Sequence, residues 1–197
     1  MIHIITQSFL KKTFFIFAFI LSINCISQNL DNCNIQNSET IAAPKLDKEA
    51  LICIAKNSDK PYTVFYTLAS WCEPCRMHFP DALDLEKTGK VNLFVVLVEA
   101  EKDPKIKNTI SFIKSKSENV QFGVLNDDKY GSKVGKRNTK LATEITPNGS
   151  KVIDDFGKFI LVDHSGEILY VTNYKDYDKD WKNSKQMLEK KIIPLLK

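Results

Sequence analysis

The chain is poor in arginine, glycine, proline and cysteine, and each shortage excludes a class of protein. Only Arg76 and Arg137 are arginines among 197 residues, so the bidentate phosphate contacts typical of nucleic-acid-binding proteins have few candidate donors. Seven glycines, seven prolines and a hydrophobic content of 43% exclude a low-complexity or disordered chain. Five cysteines are too sparse for a small disulfide framework.

The charge balance also gives no reason to expect a nucleic-acid partner. The net charge is +4, but Lys11 and Lys12 lie in an N-terminal segment with the features of a targeting signal. Without residues 1–27, 26 basic and 24 acidic residues remain, a net charge of +2. We therefore expect no nucleic-acid partner.

The N-terminus has the pattern of an export signal. Lys11 and Lys12 precede a run of eleven largely apolar residues, 13–23, which is shorter than the roughly 17–25 residues that span a bilayer. Cleavage after Ser27 would remove a signal peptide of residues 1–27. Alternatively, residues 21–25 resemble a bacterial lipobox that would leave a lipid anchor at Cys25, although Asn24 departs from that motif. An uncleaved short anchor is the third alternative.

All three alternatives place the rest of the chain outside the cytoplasm, which in a bacterium would be the periplasm or cell envelope, where disulfides are permitted. Residues 28–44 are rich in Asn, Gln and Ser and predict a linker or arm. Residues 45–197 predict one domain in which helices alternate with strands and a ββα unit ends the chain. The expected class is α/β, with a central mixed sheet and helices on both faces.

The motif that carries chemistry lies between a predicted strand at 62–68 and a predicted helix at 72–88. It consists of Trp71, Cys72, Glu73, Pro74 and Cys75. A cysteine at a helix N-terminus faces unpaired N–H groups and the positive end of the dipole, which favour the thiolate. Cys72 would attack a disulfide and Cys75 would resolve the mixed disulfide.

The other three residues of the motif are expected to shape the site. Glu73 opposes the dipole and should make the pair less oxidising. Pro74 stiffens the first helical turn without losing a hydrogen bond. Trp71 offers an apolar surface to a substrate beside Cys72.

Two closely spaced cysteines are also typical of zinc sites, haem attachment sites and structural disulfides. A zinc site needs about four ligands, but the sequence has no second Cys-x-x-Cys and no His pair. Covalent haem needs His directly after Cys75, where Arg76 stands. We therefore expect no metal, and no cofactor beyond a redox-active Cys72–Cys75 disulfide. A purely structural disulfide stays open.

These residues resemble the thioredoxin-like superfamily, and most closely its TlpA-like, cytochrome-c-maturation branch. The string from Trp71 to Cys75 occurs in that branch, and Pro80 matches a proline kink in its active-site helix. The resemblance implies a thioredoxin-like fold and an exported thiol–disulfide oxidoreductase. It further implies protein disulfide substrates, apocytochromes among them, and a membrane-bound electron donor. The alternatives are a disulfide oxidase or isomerase, or a binding domain without redox activity.

The chain departs from the family pattern at the cis-proline that faces the motif. The family places this proline six residues before the Asp that ends the next strand, and here that position is Gly157. Either ten residues have been inserted and Pro147 is the equivalent proline, or the proline is lost. We expect Pro147 to be the site-shaping residue.

Two titratable positions also depart from the pattern. His78 stands where some reductases of this branch carry a proton-handling Glu, and it shares a helix face with Cys75. It would accept the Cys75 proton, or be an ordinary solvated histidine. Tyr66 replaces the buried Asp of thioredoxin, so that proton route is absent.

Two further cysteines would remain after signal removal. Cys33 in the predicted arm and Cys53 in the first predicted helix are able to form a disulfide in an oxidising compartment. Cys53 also lies on the apolar face of its helix, where a free buried cysteine is common. Both alternatives stay open.

Overall fold

A six-stranded mixed sheet forms the centre of the computed structural model, which describes residue 30, residues 32–178 and residues 180–197. The predicted export signal, with Cys25, lies outside these residues. The strands follow one another across the sheet in the order β1-β4-β3-β2-β5-β6. Their bounds are β1 Lys45–Leu46, β2 Tyr62–Leu68, β3 Val91–Leu97, β4 Gln121–Leu125, β5 Phe159–Asp163 and β6 Ile168–Val171.

Helices connect the strands and cover the sheet. Their bounds are α1 Lys48–Lys56, α2 Glu73–Glu86, α3 Ile106–Lys116, α4 Asp127–Tyr130, α5 Val134–Ile145 and α6 Ser184–Lys191, with 3₁₀ turns at Tyr174–Tyr177 and Ile193–Leu195. In the described part of the chain, no helix combines the length and the apolar character that crossing a membrane requires.

The two central strands are β2 and β3, whose apolar runs the sequence predicts to be buried. They pair in parallel over seven residues, from Tyr62 opposite Val91 to Leu68 opposite Leu97. Helices on both faces exclude water from the pair, which explains why the runs are apolar without alternation. Both strands end at the same edge of the sheet, so the segments that follow them meet there.

Strand β5 brings a third segment to this edge because it runs antiparallel to β2. Phe159, the first residue of β5, lies opposite Tyr66 near the end of β2. The residues just before β5 therefore lie beside those just after β2. This arrangement confirms the predicted α/β class and has the form of a thioredoxin-like fold with a C-terminal ββα unit.

Three details differ from the predicted elements. The two-residue strand β1 was not predicted, because two residues are too few to show a period. The sequence predicts one polar helix over residues 129–144, but the structure interrupts it at Gly131, which has a φ of 78° and caps α4. The final helix ends at Lys191, and a 3₁₀ turn that contains Pro194 follows it.

The part of the predicted arm from residue 32 onward is attached to the domain. Cys33 forms a disulfide with Cys53 of α1, which answers the question that the sequence left open. Ser38 Oγ donates to a carboxylate oxygen of Glu101 at 2.6 Å, and Thr40 Oγ1 donates to the Glu101 carbonyl at 3.0 Å. The disulfide and these bonds fix residues 33–40 along the edge formed by β1 and α1.

Removing the Cys33–Cys53 disulfide should destabilise the domain. Its cysteines are 20 residues apart, and a cross-link over such a loop contributes about 3 kcal/mol. We expect the Cys33→Ala/Cys53→Ala variant to unfold at a lower urea concentration than the unreduced wild type. A Cys72→Ala/Cys75→Ala variant is the matched control and should lose less, since its loop is far shorter. An unchanged midpoint in the first variant would contradict the expected restraint.

Candidate active site

The predicted motif lies where β2 ends and α2 begins. Cys72 caps α2, and its Sγ accepts a hydrogen bond from the Cys75 backbone N–H at 3.3 Å. The two cysteines form a disulfide, with their Cα atoms 5.3 Å apart. Cys72 is 7% exposed and Cys75 is fully buried. The sulfur of Cys72 is therefore the one that a polypeptide would reach first.

Beneath Cys75 lies an aromatic layer instead of a carboxylate. The Tyr66 hydroxyl donates to the Cys75 carbonyl at 2.8 Å, and the Tyr66 ring packs against Phe79 and Phe159. Complete burial raises the pKa of Tyr66 well above its ordinary value. Tyr66 therefore stays protonated and holds the first turn of α2.

Gly157 lies beside Cys75 at the position that the family pattern gives to a cis-proline. A Cβ atom at Gly157 would stand 3.4 Å from Cys75 Sγ and 3.7 Å from the Tyr66 hydroxyl. The φ of Gly157 is 77°, a left-handed conformation that glycine adopts without strain. A bare backbone segment therefore faces the disulfide.

The prediction that Pro147 supplies the cis-proline is wrong. The described residues contain no cis peptide bond. Pro147 lines a different cavity from the one that contains Cys72, in the company of Lys158 and Tyr170. The physical reason is the register of β5, which places Gly157 at the motif and leaves Pro147 just beyond the end of α5.

An open groove of about 460 Å³ runs beside Cys72. Most of its lining is apolar or aromatic, and the lining residues are Trp71, Cys72, Pro74, His78, Asp155, Phe156, Tyr174, Tyr177 and Trp181. Trp71 packs edge-to-face on Phe156 with ring centroids 4.9 Å apart. Trp71 and Trp181 remain 39% and 42% exposed. The structure brings Trp71 and Pro74 to the groove, whereas exposed Glu73 is not among its lining residues.

The carboxylate in this groove is already paired. Asp155 forms an ion pair with Lys158, whose side chain is only 3% exposed. The other oxygen of Asp155 accepts the Tyr174 backbone N–H at 2.6 Å. The groove therefore presents little uncompensated charge to a ligand.

His78 is buried and only 3% exposed, so the alternative of a solvated histidine is wrong. Its Nε2 lies 2.8 Å from the Trp181 carbonyl oxygen, and its Nδ1 lies 3.2 Å from the Tyr177 hydroxyl. The imidazole also stacks on the Tyr177 ring, with centroids 4.9 Å apart. Burial lowers the pKa of His78, against a smaller opposite effect of the hydrogen bond to Trp181.

One buried carboxyl near the motif was missed by sequence reasoning. Glu99 follows β3 and is fully buried, and its Oε1 accepts a hydrogen bond from Thr109 Oγ1 at 2.6 Å. Thr109 Oγ1 in turn accepts the Ser70 backbone N–H at 2.9 Å. Burial raises the pKa of Glu99. The sequence signal for Glu99 was its place directly after an apolar strand, where burial is expected. A carboxyl is rarely buried unless it has a partner.

The described part of the chain contains no group of three or more His, Cys, Asp or Glu side chains placed to hold a metal ion. The chemistry that the described groups offer is that of two adjacent sulfurs. One of them is reachable at a helix N-terminus, beside an aromatic groove and a bare glycine backbone.

Comparison with known proteins gives a partial match at the level of sequence. No family model matches the chain. Thioredoxin Y1 of the Arabidopsis thaliana chloroplast is 37% identical over 68 residues, which cover 34% of this chain and 39% of that relative. This chain is similar to a thioredoxin. The curated relative confirms the thioredoxin-like resemblance that the motif indicated, over about two fifths of the relative's length.

Three of the solved structures to which this chain is similar carry the names of disulfide oxidoreductases or interchange proteins. The thioredoxin domain of a thiol-disulfide oxidoreductase from Bacteroides vulgatus has a TM-score of 0.43 and 15% identity, covering 69% of this chain and 79% of that one. A thiol:disulfide interchange protein from Bacteroides sp. has a TM-score of 0.40 and 15% identity, covering 68% and 74%. A secreted disulfide oxidoreductase from Mycobacterium tuberculosis has a TM-score of 0.39 and 16% identity, covering 66% and 81%.

Burial of a neutral His78 should make the stability of the domain depend on pH. In the unfolded chain His78 has its ordinary pKa of about 6.5, and in the folded protein its pKa is lower. Between these values the unfolded chain binds more protons, so the stabilisation is complete above pH ~6.5 and is lost as the pH falls towards the folded pKa. Urea unfolding should therefore show that the free energy of unfolding decreases from pH 7.5 to pH 5.5. The decrease should be larger in the wild type than in a His78→Gln variant.

The exposed His164 offers the matched control for this measurement. A His164→Gln variant should follow the wild type, because that side chain is not buried on folding. Equal pH dependence in all three proteins would show that His78 does not contribute.

Proposed function

We propose that this protein is an exported thiol–disulfide oxidoreductase that reduces disulfides of exported proteins through Cys72 and Cys75. The observation that carries the proposal is the Cys72–Cys75 disulfide at the N-terminus of α2, with the more exposed Cys72 beside an aromatic groove. A sulfur in this position is stabilised as a thiolate by the N–H groups and the dipole of the helix.

The reaction would begin with the reduced dithiol. The Cys72 thiolate attacks one sulfur of a substrate disulfide, a new S–S bond forms, and the other substrate sulfur leaves as a thiolate. The Cys75 thiol then gives up its proton, which ends on one of the departing substrate sulfurs, and attacks Cys72 Sγ, so that the second substrate sulfur is released. Two electrons pass to the substrate, and the protein is left with the Cys72–Cys75 disulfide.

The residues around the cysteines would have distinct parts in this cycle. Trp71 and Pro74 shape the groove beside Cys72. Glu73 in the first turn of α2 would disfavour the thiolate and so make the couple less oxidising. The Gly157 backbone, next to Cys75, would face the substrate polypeptide.

We infer the origin of the electrons and the class of substrate from the resemblance and the N-terminal sequence. A membrane-bound donor would reduce the Cys72–Cys75 disulfide, and no further cofactor would be needed. Export to the periplasm or cell envelope, with cleavage or a lipid anchor at Cys25, would place the protein beside both the electron donor and the substrates. Apocytochromes are candidate substrates, which would give the protein a place in cytochrome c maturation.

Substitution of each cysteine should separate the two steps. A Cys72→Ser variant should reduce a disulfide-bonded test protein such as insulin no faster than the uncatalysed background, because the attacking sulfur is gone. A Cys75→Ser variant should accumulate the mixed disulfide, seen by mass spectrometry as protein plus one test chain. If both variants retain turnover, or the wild type has none, the motif is structural and a binding domain becomes the better interpretation.

The reduction potential should give the direction of electron flow. Thiol trapping of the wild type in defined redox buffers should give a value near or below about −270 mV for a reductase. A value between about −120 and −180 mV would favour the alternative of a disulfide oxidase or isomerase. Replacement of Glu73 by Gln should shift the couple in the oxidising direction, since it removes the charge that opposes the thiolate.

A further inference from the structure

His78 joins the active-site helix to a segment far away in the chain. It stands one turn after Cys75 in α2, whereas its two hydrogen-bond partners lie between β6 and α6. We define Tyr174, Tyr177 and Trp181 as the outer wall of the groove, because all three line it from this segment. The two contacts of His78 therefore hold two of the three wall residues.

The hydrogen bonds determine how His78 is protonated. The Trp181 carbonyl oxygen only accepts, so Nε2 must carry the proton in the 2.8 Å contact. In the neutral ring Nδ1 is then an acceptor, and the Tyr177 hydroxyl 3.2 Å away donates to it. Both nitrogens are thus used in holding the wall, which leaves neither directed to the Cys75 thiol.

Other contacts fix the opposite end of the wall but do not replace His78. Asp155 accepts the Tyr174 N–H at 2.6 Å. Asp176 accepts from the Asn173 backbone N–H and from the Tyr170 hydroxyl, each at 2.8 Å. Trp181 lies beyond these bonds, and its backbone carbonyl is bound by His78.

The wall determines which substrates fit beside Cys72. A polypeptide that brings its disulfide to Cys72 must place the neighbouring side chains in the groove that Trp71, Phe156 and the wall line. The carboxylate there, Asp155, is paired with Lys158. Transfer of an apolar side chain from water into such a groove lowers the free energy, whereas a charged side chain loses its hydration there and finds no partner.

We propose that His78 is a positioning residue, which holds Tyr177 and Trp181 as the outer wall of the groove, and that this wall selects disulfides flanked by an apolar side chain. The proposal rests on the proposed function, since it concerns the substrate of the same cysteines. It differs from a role for His78 as the base for Cys75, which would affect every substrate alike.

The test uses the full-length, pre-reduced protein and two cystine-bridged peptides. The peptides are identical except that Leu or Ser precedes the bridged cysteine. We expect the wild type to prefer the Leu peptide in kcat/KM by about tenfold, the amount that burial of one such side chain supplies. His78→Ala and Trp181→Ala should each reduce this preference to less than about threefold through a higher KM for the Leu peptide. The Ser peptide should be affected less than the Leu peptide, because a Ser side chain gains little from the wall.

Two controls separate positioning from proton transfer. His78→Gln places an amide N–H near the position of Nε2 and should keep most of the preference, because that donor still reaches the Trp181 carbonyl. The exposed variant His164→Gln should match the wild type. The pH profile of kcat with the Ser peptide should be the same in His78→Ala as in the wild type.

The outcomes distinguish this proposal from the proposed function. Reduction of both peptides by the wild type with equal kcat/KM would leave the oxidoreductase intact and overturn the selective wall. An equal loss of kcat for both peptides in His78→Ala, with a changed pH profile and a normal Trp181→Ala, would overturn positioning in favour of proton transfer. Reduction of neither peptide by the wild type would overturn both proposals. Trp181→Ala, which alters a partly exposed side chain, keeps the test decisive if His78→Ala fails to fold.

Discussion

Five residue pairs join β5 to β2 in antiparallel register, from Tyr62 opposite Asp163 to Tyr66 opposite Phe159. The candidate site depends on this pairing. It places Gly157 against Cys75 and Lys158 beside Thr67, with the Lys158 N–H donating to Thr67 Oγ1 at 2.8 Å. A slip by one residue would exchange the two faces of β5 and move Gly157 away from the sulfur. Because Phe159 to Val162 are buried on both faces of β5, such a slip would require the core to repack and is strongly disfavoured.

The elements that could be predicted from sequence are those with a local cause. The apolar runs of β2 and β3, the turn between β5 and β6, and the helix that starts at the motif each depend on neighbouring residues. Cys72 and Cys75 were found because their spacing and helix-start context are themselves local. Pro147 was predicted to be the cis-proline because a proline is visible in the sequence. The register of β5 against β2, which places Gly157 beside Cys75, is not visible there.

The parts of the site that sequence reasoning missed arise from contacts between distant segments. His78 bonds to a carbonyl 103 positions later, and no local pattern indicates which of many backbone oxygens will be its partner. The link from Glu99 through Thr109 to Ser70 likewise joins three separate segments. Such networks form only after the sheet has brought its strand ends together. They account for the buried polar groups that the composition gave no reason to expect.

The two disulfides differ in how strongly they restrict the unfolded chain. The Cys33–Cys53 bond closes a long loop and so restricts the unfolded ensemble, whereas Cys72 and Cys75 are three positions apart. A bond over so short a loop removes little entropy from the unfolded chain. The Cys72–Cys75 bond can thus open and close at a smaller cost to the stability of the domain. The described part of the chain therefore contains one disulfide that closes a long loop and one that closes a short loop.

The chain contains only two tryptophans, and Trp71 and Trp181 both line the groove beside Cys72. Their indole rings therefore form an optical probe confined to the site. Light emitted by tryptophan in this protein therefore comes from residues that line the groove. Opening of the disulfide, entry of a polypeptide or displacement of the outer wall would each alter that emission without any attached dye.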